Sequence, residues 1–189
     1  MGNADLLVRA RALQIVAIAF AVWTSPVLAQ DHQHKEAKMQ AAELRIPESM
    51  RVEHEEIHGR LVEATKLTGA VGEAARELAK VLHPHFVREE EIALPPLALL
   101  APLAAGRYSP EMREVLRMTD ALRKELPRML QEHEAIGAAA QQLESVARTE
   151  GNASVEALAK ALQLHARGEE EIFYPAALLV GDLVRARSK

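Results

Sequence analysis

The chain contains no cysteine, which excludes disulfides, cysteine-ligated zinc, thiolate catalysis and a lipid-modified N-terminal cysteine. Any metal must therefore be held by nitrogen or oxygen. Aromatic residues are only 3% of the sequence and no basic cluster offsets the net charge of −4, so neither base stacking nor a phosphate-binding face is available. Nucleic acid is excluded as a partner on those grounds. A core this poor in aromatics has to be built from Leu, Ala, Val, Ile and Met, which favours close-packed helices over strands. Long apolar runs are missing too. The run from Leu13 to Trp23 falls short of the ~20 residues that a membrane-spanning helix requires.

That run follows Arg9 and Arg11 and ends in Val27-Leu28-Ala29, the layout of a secretory signal peptide over residues 1–29. Cleavage after Ala29 would give a secreted, periplasmic protein with no stable membrane insertion, and an uncleaved anchor is the alternative. Residues 30–45 form a polar leader. Cleavage would place His32 third from a free amine, an arrangement suited to Cu(II) or Ni(II), but a plain polar tail is the simpler reading and His32 and His34 are left out of the site. The remaining stretch, 46–182, has the size of one domain with a single core.

What the chain does have is a pattern that occurs twice. Glu53-His54-Glu55-Glu56-Ile57 is echoed by Glu132-His133-Glu134-Ala135-Ile136. Each is followed about thirty residues later by His-x-x-x-Glu-Glu-Glu-Ile-x-x-Pro, at His85 to Pro95 and His165 to Pro175. The two lone histidines are 79 residues apart and the two His-x-x-x-Glu histidines 80. Apolar residues recur three and four apart throughout, as in Leu78, Leu82, Phe86 and Leu158, Leu162.

The spacing predicts an all-α fold, an antiparallel up-and-down four-helix bundle with an extra connecting helix between helices two and three. The first helix is expected from Pro47 to Leu67, the second from Gly72 to just before Pro95, the third from Pro127 to Thr149 and the fourth from Ser154 to Leu179. Ser109-Pro110-Glu111 would open the connecting helix, which would end near Glu125. An approximate two-fold axis should relate the halves, with Met50 and Met129 each four residues before a lone histidine.

Residues four apart on a helix differ by about 40°, so His85 and Glu89, His165 and Glu169, and His54 and His58 can each address one point. Residues five apart differ by about 140°, so Glu90 and Glu170 should point away, with Glu91 and Glu171 further off, and all four read as solvated charges. A single His-x-x-x-Glu is an ordinary surface pair worth ~0.2 to 0.5 kcal/mol. Two of them beside core positions, each with a lone His on a partner helix, predict a metal site instead. Buried without metal, such a set would leave several polar groups unpaired at ~1 to 3 kcal/mol each. The expected ligands are His54, His58, His85, Glu89, His133, His165 and Glu169, while His83 should face elsewhere.

These residues resemble the hemerythrin family with its cation-binding HHE motif: His54, then His85-x-x-x-Glu89-Glu90, then His133, then His165-x-x-x-Glu169-Glu170. The likeness runs from about Pro47 to Leu179. It implies a centre of two non-haem iron ions (Fe2+/Fe3+) bridged by the two carboxylates and an oxo or hydroxo group. Family members serve in oxygen carriage, oxygen or nitric oxide response, or iron handling. The chain departs from the oxygen carriers in having Gly137 four residues after His133, where they have a histidine, and His58 on the first helix as the extra imidazole. Under the two-fold, one metal would take His54, His58 and His85 and the other His133 and His165, with Glu89 and Glu169 bridging. If His58 instead turns outward, the site becomes more open and closer to a reactive centre.

The resulting expectation is an exported di-iron protein that binds O2 or NO, serving as an oxygen-binding, sensing or storage protein more than an enzyme. The alternatives are a di-iron enzyme that reduces peroxide or NO, and an envelope protein that binds and handles metal ions, with zinc or another divalent ion in place of iron. No feature names a redox partner.

Overall fold

A computed structural model describes residues 44–189. The expected signal peptide and nearly all of the polar leader lie outside the described residues. Six α-helices follow: α1 (Glu48–Thr65), α2 (Gly69–Ile92), α3 (Leu100–Ala104), α4 (Val115–Thr149), α5 (Ala153–Gly168) and α6 (Tyr174–Arg187). A π-helical turn, Glu169–Phe173, joins α5 to α6 into one continuous rod, and 3-10 turns at Pro95–Leu99 and Pro110–Glu114 flank α3. There is no strand among the described residues. Helix α1 packs on α2 and α5, α2 on α4, and α4 on α5, so the four long rods close a ring.

The turns are written locally. Helix α4 ends in a Schellman arrangement: Asn152 N–H reaches Ala147 C=O (2.8 Å), Gly151 N–H reaches Arg148 C=O (3.2 Å), and Gly151 sits at φ 70°. A side chain there would be strained. Asn152 then caps α5 by accepting from Val155 N–H at 3.2 Å. One short turn thus stops one helix and starts the next, antiparallel to it.

Pro127 does not start a helix. It lies inside α4, which runs 35 residues from Val115 and absorbs the segment expected as a separate connector. The reason is the packing pattern. Residues Val115, Thr119, Leu122, Leu126, Met129, His133, Ile136, Ala140, Leu143 and Ala147 alternate four- and three-residue steps straight through Pro127, all but the partly covered Leu126 fully buried. An internal proline costs roughly 3 kcal/mol. The burial of Val115 and Leu122, on the far side of a break from His133, would be forfeited at ~1.5 to 3 kcal/mol each if the seam were interrupted. The only separate α-helix left in the crossing is the five-residue α3.

A cluster of Leu99, Leu103, Met112, Val115, Val180 and Val184 packs the crossing against α4 and α6, and two larger apolar clusters fill the rest of the bundle. One holds Ile57, Leu61, Leu78, Leu82, Phe86, Ile136, Leu143, Leu158 and Leu162. The other holds Met50, Ile92, Leu97, Leu122, Met129 and Tyr174, so the two methionines that precede the lone histidines share one cluster. Along each rod the histidines and glutamates of the repeat fall between members of these clusters. A polar layer therefore divides an otherwise apolar core.

Candidate metal centre

Six of the seven expected ligands meet in that layer. His54 comes from α1, His85 and Glu89 from α2, His133 from α4, His165 from the end of α5 and Glu169 from the start of the π turn. None exposes more than 5% of its surface. Their donor atoms form two adjacent groups, one of His54, His165 and Glu169 and one of His85, His133, Glu89 and Glu169. In the first, Glu169 Oε1 lies 2.9 Å from His165 Nε2 and 3.5 Å from His54 Nε2. In the second, Glu169 Oε2 lies 3.5 Å from His133 Nε2 and Glu89 Oε1 3.4 Å from His85 Nε2. The other oxygen of Glu89, Oε2, turns back toward His54 Nε2 at 3.9 Å. Glu169 thus belongs to both groups, while Glu89 belongs to the second and reaches toward His54 of the first.

The outer ring nitrogens are tethered. His54 Nδ1 meets Glu90 at 3.2 Å, His85 Nδ1 meets Glu132 at 2.9 Å and His133 Nδ1 meets Glu170 at 2.8 Å. His165 Nδ1 has Glu53 at 3.2 Å, close enough for attraction though not aligned for a hydrogen bond. A carboxylate only accepts, so in the neutral ring the proton sits on Nδ1 and the Nε2 lone pair faces inward. This is how metal-binding histidines are commonly oriented. Phe86 stacks on the His54 ring at 4.1 Å and an interplanar angle of 15°, fixing it from the apolar side.

Burial by itself would drive protons off His85, His133 and His165, but the carboxylates outweigh it. Glu89 raises His85, Glu169 raises His133, and Glu169 at 2.9 Å lifts His165 to about 9. For Glu169, burial favours the protonated acid, yet His133, His165 and His54 hold it well below the usual carboxylate range. Glu89 is pushed up, by burial and by the charge of Glu169. Burial and the same two carboxylates push the Tyr174 phenol far up.

The layer carries polar atoms that the protein itself does not satisfy. His54 Nε2, both ring nitrogens of His165, Glu89 Oε2 and Glu169 Oε1 are buried without a hydrogen-bond partner, at ~1 to 3 kcal/mol each. Although His165 Nε2 and Glu169 Oε1 stand 2.9 Å apart, they are not aligned as donor and acceptor. Lone pairs converging on shared points are what metal ions satisfy, so the donor set fits a pair of cations.

His58 is not part of the site. It is exposed, and its ring lies 5.8 Å from that of His83, also exposed. The buried stripe of α1 runs Met50, His54, Ile57, Leu61, Ala64. After His54 the seam takes a three-residue step, and the fourth residue drifts to the helix edge. The expected partition of ligands is also corrected. His54 pairs with His165 across α1 and α5, and His85 with His133 across α2 and α4; α1 also packs on α2 and α4 on α5, so the rotation of each rod, and not adjacency alone, selects the pairs.

Sequence reasoning missed two sets of residues. Glu90 and Glu170 are not idle solvated charges: pointing away from their own metal face aims them at the histidine of the next helix. Their place in the repeat, and that of Glu53 and Glu132 beside the lone histidines, was the available signal. Tyr174 is the other omission. Its hydroxyl donates to Glu89 Oε1 and lies 3.2 Å from His133 Nε2 and 3.4 Å from His85 Nε2.

Comparison with known proteins gives one family match. The model of the hemerythrin family, described as the hemerythrin HHE cation binding domain, matches residues 25–177. No curated protein and no solved structure matches the chain.

Proposed function

This chain belongs to the hemerythrin family, and from that premise we propose that its polar layer holds two iron ions side by side and that the protein binds O2 or NO there. The observation that carries the reading is the sharing of carboxylates between the two groups: Glu169 has Oε1 toward His54 and His165 and Oε2 toward His133, and Glu89 has Oε1 toward His85 and His133 with Oε2 3.9 Å from His54. Such sharing suits two ions held a few ångströms apart. Four imidazoles to two carboxylates is richer in nitrogen than the carboxylate sites of ferritin-like bundles, and this favours binding over oxidative chemistry. Two neighbouring irons would supply O2 with a pair of electrons.

The chain's own residues do the rest. Glu90, Glu132 and Glu170 keep three rings turned so that Nε2 faces inward, and the two apolar clusters exclude bulk water from both sides of the layer. Under this reading the protein acts outside the cytoplasm, since Arg9, Arg11 and the apolar run Leu13 to Trp23 precede the domain. Among the described residues no helix is long and apolar enough to cross a membrane.

The test is iron content and gas binding. The reduced protein should carry two irons per chain and develop a visible charge-transfer band on exposure to O2 that disappears on deoxygenation. One iron per chain, or irreversible oxidation in the first cycle, would refute it. The outward position of His58 favours a second reading, in which the more open site turns over peroxide or NO with an electron donor; sustained consumption of either would establish it.

A further inference from the structure

Tyr174 is buried to 1% exposure, yet its hydroxyl stands among would-be metal ligands instead of at the surface. Neighbouring donors on a six-coordinate ion with bonds near 2.1 Å are about 3 Å apart. The phenol oxygen keeps that kind of separation from His133 Nε2 (3.2 Å) and His85 Nε2 (3.4 Å), and it touches Glu89 Oε1. Resting on the two-ion reading above, we propose that Tyr174 is a metal ligand, completing the His85/His133 position as a phenolate.

The fold delivers this residue by a specific device. Tyr174 is five residues after Glu169, and on an unbroken α-helix the two would point about 140° apart. Between them lies the π turn, in which Tyr174 N–H bonds to Glu169 C=O, and residues five apart in such a turn stack on one face. The repeat-equivalent position in the first half is Leu94, whose N–H likewise reaches Glu89 C=O at 3.0 Å. Both halves make the same five-residue closure, and only the second puts an oxygen there. The pseudo-symmetry is thereby broken at one point: the His85/His133 position gains a donor, while Leu94, the repeat counterpart and equally buried, has no oxygen to offer. The open coordination for an exogenous ligand is then at His54/His165. When the ion binds, the metal–oxygen bond replaces the phenolic O–H and the proton leaves to solvent; the cation's charge reverses the local electrostatics that hold that proton in the metal-free protein.

Only two tyrosines occur in the chain, and the other, Tyr108, bonds Ser188 through its hydroxyl. The full-length protein is loaded with iron, oxidised in air, and examined by metal analysis and by resonance Raman in its visible absorption. The expected result is two irons per chain with tyrosinate ring modes that persist in Tyr108→Phe and vanish in Tyr174→Phe, where one of the two irons binds about tenfold or more weakly. Two irons per chain without tyrosinate modes in the unsubstituted protein would overturn the ligand assignment and leave the two-ion reading intact. Failure to bind a second iron in the unsubstituted protein would overturn both. Because the spectrum of the unsubstituted protein decides the point, a Tyr174→Phe chain that does not fold leaves the test standing.

Discussion

Glu170 offers a clean way to ask whether the carboxylates outside the ligand set matter. Its Oε1 accepts from His133 Nδ1 at 2.8 Å, yet its side chain remains 40% exposed, so it can be replaced without opening a hole in the core. Removing such a partner frees the ring to rotate and lowers its basicity, which typically costs about 10- to 100-fold in metal affinity. That range corresponds to about 1.4 to 2.8 kcal/mol. Glu170→Gln keeps an acceptor and loses only the charge, so it belongs at the lower end. Glu170→Leu strands the Nδ1–H and belongs at the upper end. The assay is a competition titration of the metal-free protein with Fe(II) or Zn(II) against a chromophoric chelator, with helix content followed by circular dichroism. Two exposed residues serve as controls, Glu171→Gln and His58→Ala, and both should leave affinity within experimental error. Equal affinity for Glu170→Leu and Glu171→Gln would refute the idea that the outer carboxylates orient the ligands.

Three further outcomes follow from the geometry. In the metal-free protein His165 holds its proton up to about 9, so an incoming ion must displace it, and apparent affinity should rise roughly tenfold per pH unit between pH 7 and pH 9 before levelling. The sign for stability is opposite: a raised imidazole pKa stabilises the metal-free fold fully below the unfolded value of 6.5 and loses that contribution as pH rises through about 9. Metal titrations and denaturant melts at matched pH check both, and an affinity flat from pH 7 to pH 9 would contradict the coupling. Gly181 on α6 faces Thr119 on α4 so closely that an added Cβ would stand 2.3 Å from Thr119 Oγ1. Gly181→Ala should therefore destabilise the fold by about 1 to 3 kcal/mol, read as a lower urea midpoint, and an unchanged midpoint would count against that packing.

Most of the bundle was legible because its signals are local and repeated. Three- and four-residue apolar steps announce helices, and Gly151-Asn152 carries a complete stop and start within two residues. The doubled His-x-x-x-Glu, offset by 80 residues, pointed to four of the six residues that converge, since a four-residue step on a helix keeps two side chains on one face whatever the helix packs against, and the repeated lone histidine pointed to His54 and His133. Local rules misled at Pro127, where propensity argued for a break and the continuous buried seam prevailed.

By itself, then, the amino-acid order determined an all-helical chain with two copies of an imidazole and carboxylate set, because spacing along a helix is a property of the helix alone. Only the tertiary structure decided which imidazoles stand together, since that depends on how each rod is rotated toward its neighbours: His54 meets His165 and His85 meets His133, pairing histidines that are 111 and 48 residues apart in the chain. It also turned His58 out to the edge of α1, aimed Glu90 and Glu170 at rings on adjacent helices, and brought Tyr174 under Glu89 through a π turn that the usual helical angle does not anticipate. Each of these is a matter of rotation about a rod by a fraction of a turn, and that rotation is set by how the apolar seams of four helices fit together.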